Sequence, residues 1–140
     1  MRLLAVLLPL LLAGHLRSQS APTEPACHCY ADISSKPVCL TDKQMSSHVT
    51  HVEMDSDRMG NHVNVKGIAV FRLVFGEDGR VVRAEVISGH PLAIPLLVSS
   101  LRRWEFKPYI QGKTLKPACG RLRLKFSIVE NQSAVEVASQ

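Results

Sequence analysis

Four cysteines and two histidines are the residues of this chain whose types and spacing suggest chemistry. In an exported chain, an even number of cysteines predicts disulfides, and four cysteines allow three pairings among which the sequence does not choose. The alternative is a zinc or copper site, because thiolate and imidazole are the ligands these metals prefer. The spacing is not a strong zinc motif, so we predict disulfides, no metal and no other cofactor. The residues concerned are Cys27, Cys29, Cys39, Cys119, His48 and His51.

The N-terminus predicts export. The chain opens with Arg2, continues with an apolar run from Leu3 to Gly14, and reaches small residues up to Ser20. That order is typical of a signal peptide over residues 1–20, cleaved near Ala21. The apolar run is shorter than the roughly 20 residues that a membrane span needs. We therefore expect a periplasmic protein, with an uncleaved membrane anchor as the alternative.

The charge balance is mildly basic. The chain has 17 basic and 12 acidic residues, and its formal net charge is +5. The signal peptide holds Arg2 and Arg17 and no acidic residue, so its removal lowers the net charge to +3. A charge of this size favours solubility and weak attraction to anionic surfaces. Because exported proteins rarely meet nucleic acid, we predict no nucleic-acid partner.

No catalytic motif is present. Ser88 and His90 suggest a nucleophile and its base, but they stand two residues apart in "SGHP", with no nucleophile-elbow sequence around the serine. The stretch is better explained as a turn. Glu77 and Asp78 belong to a predicted hairpin loop, where carboxylates are solvated. We therefore predict that the protein is not an enzyme.

The elements that position these residues follow from hydrophobic periodicity. Residues 21–60 read as an irregular arm that contains cysteines and one short helix, Asp42 to Val52, which begins at the capping box "TDKQ". "IAVFRLVF" and "VVRAEVI" alternate as two strands joined by the hairpin loop "GEDG". The first strand directs Phe71, Leu73 and Phe75 to one face, and Val82, Ala84 and Val86 are expected to face the same side.

The stretch "LRRWEFKPY" interleaves cations with aromatic residues, as base-stacking sites do. Helical spacing instead places Trp104 on an apolar face with Leu97 and Leu101, and it places Arg102 and Arg103 on the solvated face. We therefore predict a structural role for the tryptophan.

The last strand, "RLRLKFSI", directs four apolar residues to the core and alternates them with mostly cationic ones. The order strand, strand, helix, strand predicts an α+β fold for residues 61–129. This is a small ββαβ domain whose three-stranded sheet has one helix packed on one face. The first strand would lie in the middle and the last at an edge. Residues 130–140 are predicted to be a flexible tail, with "SAVEVA" as an alternative short edge strand.

These segments together resemble the C-terminal domain family of TonB, the energy transducer of the bacterial cell envelope. The resemblance rests on "FRLVFGEDGRVVRAEVISGHP", "RRWEFKP" and "GRLRLKF", and it covers about half the chain. In that family the W-x-F-x-P element belongs to the hydrophobic core where the helix ends. Together, the patterns and the resemblance imply a structural core of Phe71, Leu73, Phe75, Leu97, Leu101, Trp104, Phe106 and Pro108.

The resemblance also implies a function, because the family's domain binds outer-membrane transporters through a peptide that adds as a strand to the sheet edge. The implied partner is a protein or peptide of the cell envelope, such as a TonB-dependent outer-membrane transporter. The alternatives are an exported metal-handling or redox protein that uses the Cys/His arm, and a structural subunit with no energy-transducing role. The implied binding strand comprises Arg121, Leu122, Arg123, Leu124, Lys125 and Phe126.

Overall fold

The structure is a computed structural model, and it describes residues 29, 36–55, 64–130 and 132–138. The predicted signal peptide and Cys27 lie outside these residues. The fold is mixed α/β, with two helices and a strand-rich sheet in the described part. Its elements are β1 (Val38–Cys39), α1 (Asp42–His48), β2 (Val49–His51), β3 (Asn64–Phe75), β4 (Val81–Ser88), α2 (Ile94–Leu101), β5 (Glu105–Phe106), β6 (Tyr109–Gln111), β7 (Thr114–Lys116), β8 (Ala118–Val129) and β9 (Gln132–Val137).

The main sheet is built around the antiparallel pair β3 and β8, which are 12 residues each and pair along their whole length. On its other side, β3 pairs with β4, so the central order β4-β3-β8 is the predicted one. Two further strands pair with β8: β1 runs parallel to its start, and β9 runs antiparallel to its end. The prediction of three strands is therefore not confirmed, because this sheet has five.

The β3–β4 hairpin turns as its sequence predicts. Gly79 has a φ of 78°, and the carboxylate of Asp78 accepts a hydrogen bond from the N–H of Arg80 at 3.0 Å. A side chain at residue 79 would also collide with the carbonyl oxygen of Phe106. A register shift beside Val81 leaves Val82 66% exposed. The prediction that Val82 faces the core is therefore wrong, because a β-bulge changes the direction of neighbouring side chains.

Both helices lie on one face of the sheet and share one apolar core. The predicted capping box is present at the start of α1. The helix ends at His48, earlier than predicted, because the next residues form β2 and pair with β5. Met45 is fully buried over Gly120, where any side chain would collide with it. Within residues 38–51, β1 pairs with β8, and Leu40 and Met45 belong to the core.

The segment after α2 is anchored by aromatic residues. The helix ends at Leu101, and Trp104 follows in a tight turn with 1% of its surface exposed. The indole N–H donates to the carbonyl oxygen of Glu53 at 2.7 Å. Phe106 stacks on Phe75 with ring centroids 4.9 Å apart. Trp104 therefore has a core environment with a satisfied polar atom, whereas Pro108 is only partly buried.

Asp55 is a buried carboxylate that joins this region to the side of α2. It is 3% exposed, and its backbone N–H donates to the hydroxyl of Ser100 at 2.8 Å. The hydroxyl of Ser99 donates to the carboxylate at 2.9 Å. Arg103 lies 3.1 Å from the carboxylate of Glu53 and 3.7 Å from that of Asp55. Arg103 is exposed, as predicted, and it also contacts a buried acid.

We expect Trp104→Ala to lower the free energy of unfolding by about 3–5 kcal/mol, the usual cost of truncating a buried aromatic residue. Trp104→Phe should cost less, because it keeps most of the packing and loses mainly the hydrogen bond to Glu53. Denaturant unfolding followed by circular dichroism measures both changes. Equal stability of the alanine variant and the wild type would contradict the core assignment.

Arg103→Ala and Arg102→Ala form a matched pair on adjacent exposed residues. We expect Arg103→Ala to cost about 1–2 kcal/mol, because it removes a cation from a buried carboxylate. Arg102→Ala should change stability by less than about 0.5 kcal/mol. The same denaturant measurement compares the two variants. Equal small effects would show that the contact with Arg103 adds little to the stability of the buried Asp55.

Candidate functional site

The predicted binding strand is β8, and its side chains alternate as expected. Leu122, Leu124 and Phe126 are buried, whereas Arg121, Arg123 and Lys125 are exposed. The strand does not lie at an edge. Because β3 fills one side of β8 completely, β1 and β9 share the other side. The prediction that the last strand lies at an edge is therefore wrong at Ala118 and Cys119, where β1 covers it, and from Leu124 to Val129, where β9 covers it.

The strand that covers this edge is formed by the predicted flexible tail. Residues 132–137 form β9, which pairs from Leu124↔Val137 to Val129↔Gln132. The backbone N–H of Ala138 extends the pairing by donating to Arg123 at 2.9 Å. The tail is therefore a strand over this range, as the alternative interpretation of "SAVEVA" proposed. Val135 and Val137 pack against the core and supply the hydrophobic contact that holds it.

The outward face of β8 is cationic. Arg121 pairs with Asp42 at 3.1 Å, and Lys125 pairs with Glu136 at 3.0 Å. Arg123 stands between them and has no ion pair with any described residue. The pair of Lys125 with Glu136 is exposed, and exposed ion pairs contribute at most about 1 kcal/mol. An acidic ligand could therefore replace Glu136 at small cost.

A cavity of about 440 Å³ lies over the seam between β3, β8 and β9. The pairing Ile68↔Lys125 and Lys125↔Glu136 puts these three residues on the same, outward face of the sheet. The lining is mainly apolar carbon, and two ammonium groups and one carboxylate are among its polar groups. The cavity can hold one aliphatic or aromatic side chain beside the cationic row. Its lining residues are Lys66, Gly67, Ile68, Lys125, Phe126, Ser127, Ala134, Val135 and Glu136.

The cysteines come together at the start of β8. Cys29 and Cys119 form a disulfide with Cα atoms 6.2 Å apart, so the prediction of a disulfide is confirmed. Cys39 is also disulfide-bonded, and its sulfur lies 3.3 Å from that of Cys29. We expect its partner to be Cys27, the fourth cysteine, which lies outside the described residues. Disulfides of this kind are typical of exported proteins.

The two histidines do not join the cysteine cluster. His48 donates from Nδ1 to the carbonyl oxygen of Lys107 at 2.7 Å, and Lys107 in turn donates from its N–H to the carbonyl of His48. His51 lies 3.7 Å from Glu53. Within the described ranges, the only group of three or more metal-capable residues is Cys29, Cys39 and Cys119. His48 therefore ties the end of α1 to Lys107, whereas His51 contacts a residue of its own segment.

The remaining sequence features are accounted for by local structure. "SGHP" forms the turn into α2, and the Nδ1 atom of His90 accepts a hydrogen bond from the N–H of Leu92 at 3.3 Å. Gly89 allows this turn, because a side chain there would contact Ile94 at 2.6 Å.

In the described part of the chain, no helix has the length and apolar character of a membrane span.

Comparison with known proteins gives no relative, since no protein-family model, no curated protein and no solved structure matches this chain. The likeness to the TonB C-terminal domain therefore stays a hypothesis. It rests on the sequence segments quoted above.

We expect Cys119→Ser to destabilise the oxidised protein by about 2–5 kcal/mol, because the lost bridge closes a long loop. Intact mass and peptide mapping without reductant should show two bridges, Cys29–Cys119 and Cys27–Cys39. Reductant should also lower the stability of Cys119→Ser by less than it lowers the stability of the wild type. Four thiols that react without reductant in protein from the periplasm would contradict the disulfide assignment.

Proposed function

We propose that the protein is an exported, TonB-like binding module that takes up an extended segment of a cell-envelope protein by strand addition to β8. The observation that carries this proposal is β9 itself. Six residues of this strand already pair with β8 on the side opposite β3. This edge therefore accepts an antiparallel strand, and an incoming peptide would replace β9. The disulfide supports an exported location.

The contacts that hold β9 are weak compared with those of the central strands. Gln132, Ala134 and Glu136 are exposed, and the inward-facing Val135 and Val137 are only partly buried. The ion pair from Glu136 to Lys125 joins side chains that are 65% and 67% exposed, so it adds little. Glu130, in the turn before β9, has a positive φ, which is unfavourable for a residue with a side chain. Local opening of β9 should therefore cost much less than unfolding of the sheet.

The groups left by β9 would suit an acidic peptide whose alternate apolar residues take the places of Val135 and Val137. The buried residues Leu122 and Leu124 fix the register of β8, so its outward side chains keep their positions. Arg121, Arg123 and Lys125 would attract acidic side chains. Main-chain hydrogen bonds would supply most of the affinity. The resemblance to TonB indicates that an outer-membrane transporter supplies the segment.

We expect weakening of β9 to raise affinity for such a peptide. The variant is Val135→Ser with Val137→Ser, which removes the apolar contact of the strand and keeps its backbone. An outward substitution, Ala134→Ser, is the matched control. NMR titration with acidic peptides from the periplasmic ends of transporters should show roughly tenfold tighter binding for the double variant, since about 1.4 kcal/mol of competition corresponds to that factor.

The chemical shifts also identify the site. Binding to β8 should perturb residues 121–128 and release the signals of β9, and rising salt should weaken it because the cationic row is exposed. Shifts confined to β4 or to the helices would place the peptide elsewhere. Peptide binding that is lost when β9 is weakened would instead show that β9 is itself the docking strand.

A second candidate function is metal handling, and the cysteine cluster favours it. The sulfurs of Cys29, Cys39 and Cys119 all lie within 4.8 Å of one another, a spacing that soft metal ions tolerate. Metal binding needs thiolates, so it requires reduction of the disulfides. Metal content after anaerobic reduction and zinc addition, compared between wild type and Cys119→Ser, distinguishes the two functions.

A further inference from the structure

The hairpin formed by β6 and β7 carries two exposed aliphatic side chains. It pairs with itself as a separate two-stranded sheet, and residues 110–115 are all exposed. Ile110 and Leu115 are direct cross-strand partners, 58% and 44% exposed. The turn between them includes Gly112, whose φ is 65°. The tip of the hairpin therefore presents an aliphatic pair to solvent.

The orientation of the hairpin follows from Tyr109. This residue packs against the core, and its ring centroid is 5.8 Å from that of His48. Successive side chains of a strand point to opposite faces. Since Tyr109 faces the body of the protein, Ile110 and Leu115 face away from it. No described residue of the core covers them, so within the described part of the chain both side chains are left to solvent.

The charged side chains of the hairpin and its flanking residues have one sign. Lys113 lies at the tip and Lys107 and Lys116 lie at the base of the hairpin. Lys36 also lies near the base, because Val38 donates its N–H to the carbonyl of Pro117. None of the four lysines has an ion pair with a described residue. Residues 107–129 contain no acidic residue. Glu77 and Asp78 belong to the β3–β4 turn beside the base of the hairpin. The tip with Lys113 is therefore the part that suits an anionic partner.

We propose that this hairpin is a membrane-surface anchor for bilayers that contain anionic lipid. Ile110 and Leu115 enter the interfacial region while the lysines contact the headgroups. A specific protein interface buries about 800 Å² on each partner, which two side chains on a projecting tip do not provide. A bilayer accepts such a tip, because small apolar groups insert and each lysine near an anionic surface strengthens binding about fivefold.

The depth of insertion is limited by the hairpin backbone. Its outer edges have N–H and C=O groups that water or headgroups must satisfy, so they cannot enter the hydrocarbon layer. The anchor is therefore shallow and reversible. It holds the protein at a bilayer surface without a spanning segment, and it is independent of strand addition at β8.

Vesicle co-sedimentation of the mature, oxidised protein tests the anchor. We expect binding to vesicles of phosphatidylcholine mixed with phosphatidylglycerol, little binding to phosphatidylcholine alone, and release by salt. Ile110→Ser with Leu115→Ser should weaken binding at least tenfold. Lys113→Glu should weaken it fivefold or more. Unchanged fluorescence of the buried Trp104 shows that each variant is folded.

A matched control uses aliphatic residues elsewhere that are at least as exposed as Ile110 and Leu115. Val82 and Leu92 are 66% and 63% exposed, and Val82→Ser with Leu92→Ser should leave vesicle binding unchanged. Equal loss in this control would overturn the proposal, as would no binding to the anionic vesicles. Binding that depends on Lys113 but not on Ile110 and Leu115 would also overturn it, because that result describes electrostatic adsorption to any polyanion.

Discussion

The pairing of β3 with β8 is the interaction on which the rest of the structure depends. The two strands are in register from Asn64↔Val129 to Phe75↔Ala118, and their inward residues form most of one side of the core. A shift of one residue would turn those apolar side chains to solvent, so the register is strongly fixed. Both helices then have one face on which to pack. Because β3 fills one side of β8, every further strand on β8 must use the other.

The outward face of the same ladder is covered at one end and open at the other. At the covered end, Val74 and Cys119 pair with each other. They alternate with the core residues along their strands and so lie on the outward face, yet both are buried. The disulfide places Cys29 at this end. At the opposite end, Ile68 is 48% exposed beside the cavity. The covalent bridge thus lies at one end of the face, and the other end is accessible to ligands.

The parts of the fold that could be predicted are those whose signals are local. The capping box at Thr41, the positive φ of Gly79 and the alternation of β8 each depend on residues close in sequence. The position of β9 could not be predicted with the same certainty, because "SAVEVA" is a short strand whose partner is set by tertiary pairing. Arg103 likewise looks solvated on a helical projection. Its contact with Asp55 depends on a distant segment that packs beside α2.

The two surfaces assigned to binding share a physical property. Neither β9 nor the β6–β7 hairpin contributes a fully buried large side chain to the core, whereas β3 and β8 contribute many. Elements with few buried contacts open at low cost, and ligand-binding segments are drawn from them. Substitutions in β9 or at the hairpin tip should therefore alter binding with little effect on folding. Substitution of Trp104 should instead affect mainly folding, because this buried side chain joins the end of α2 to Glu53, which precedes β3.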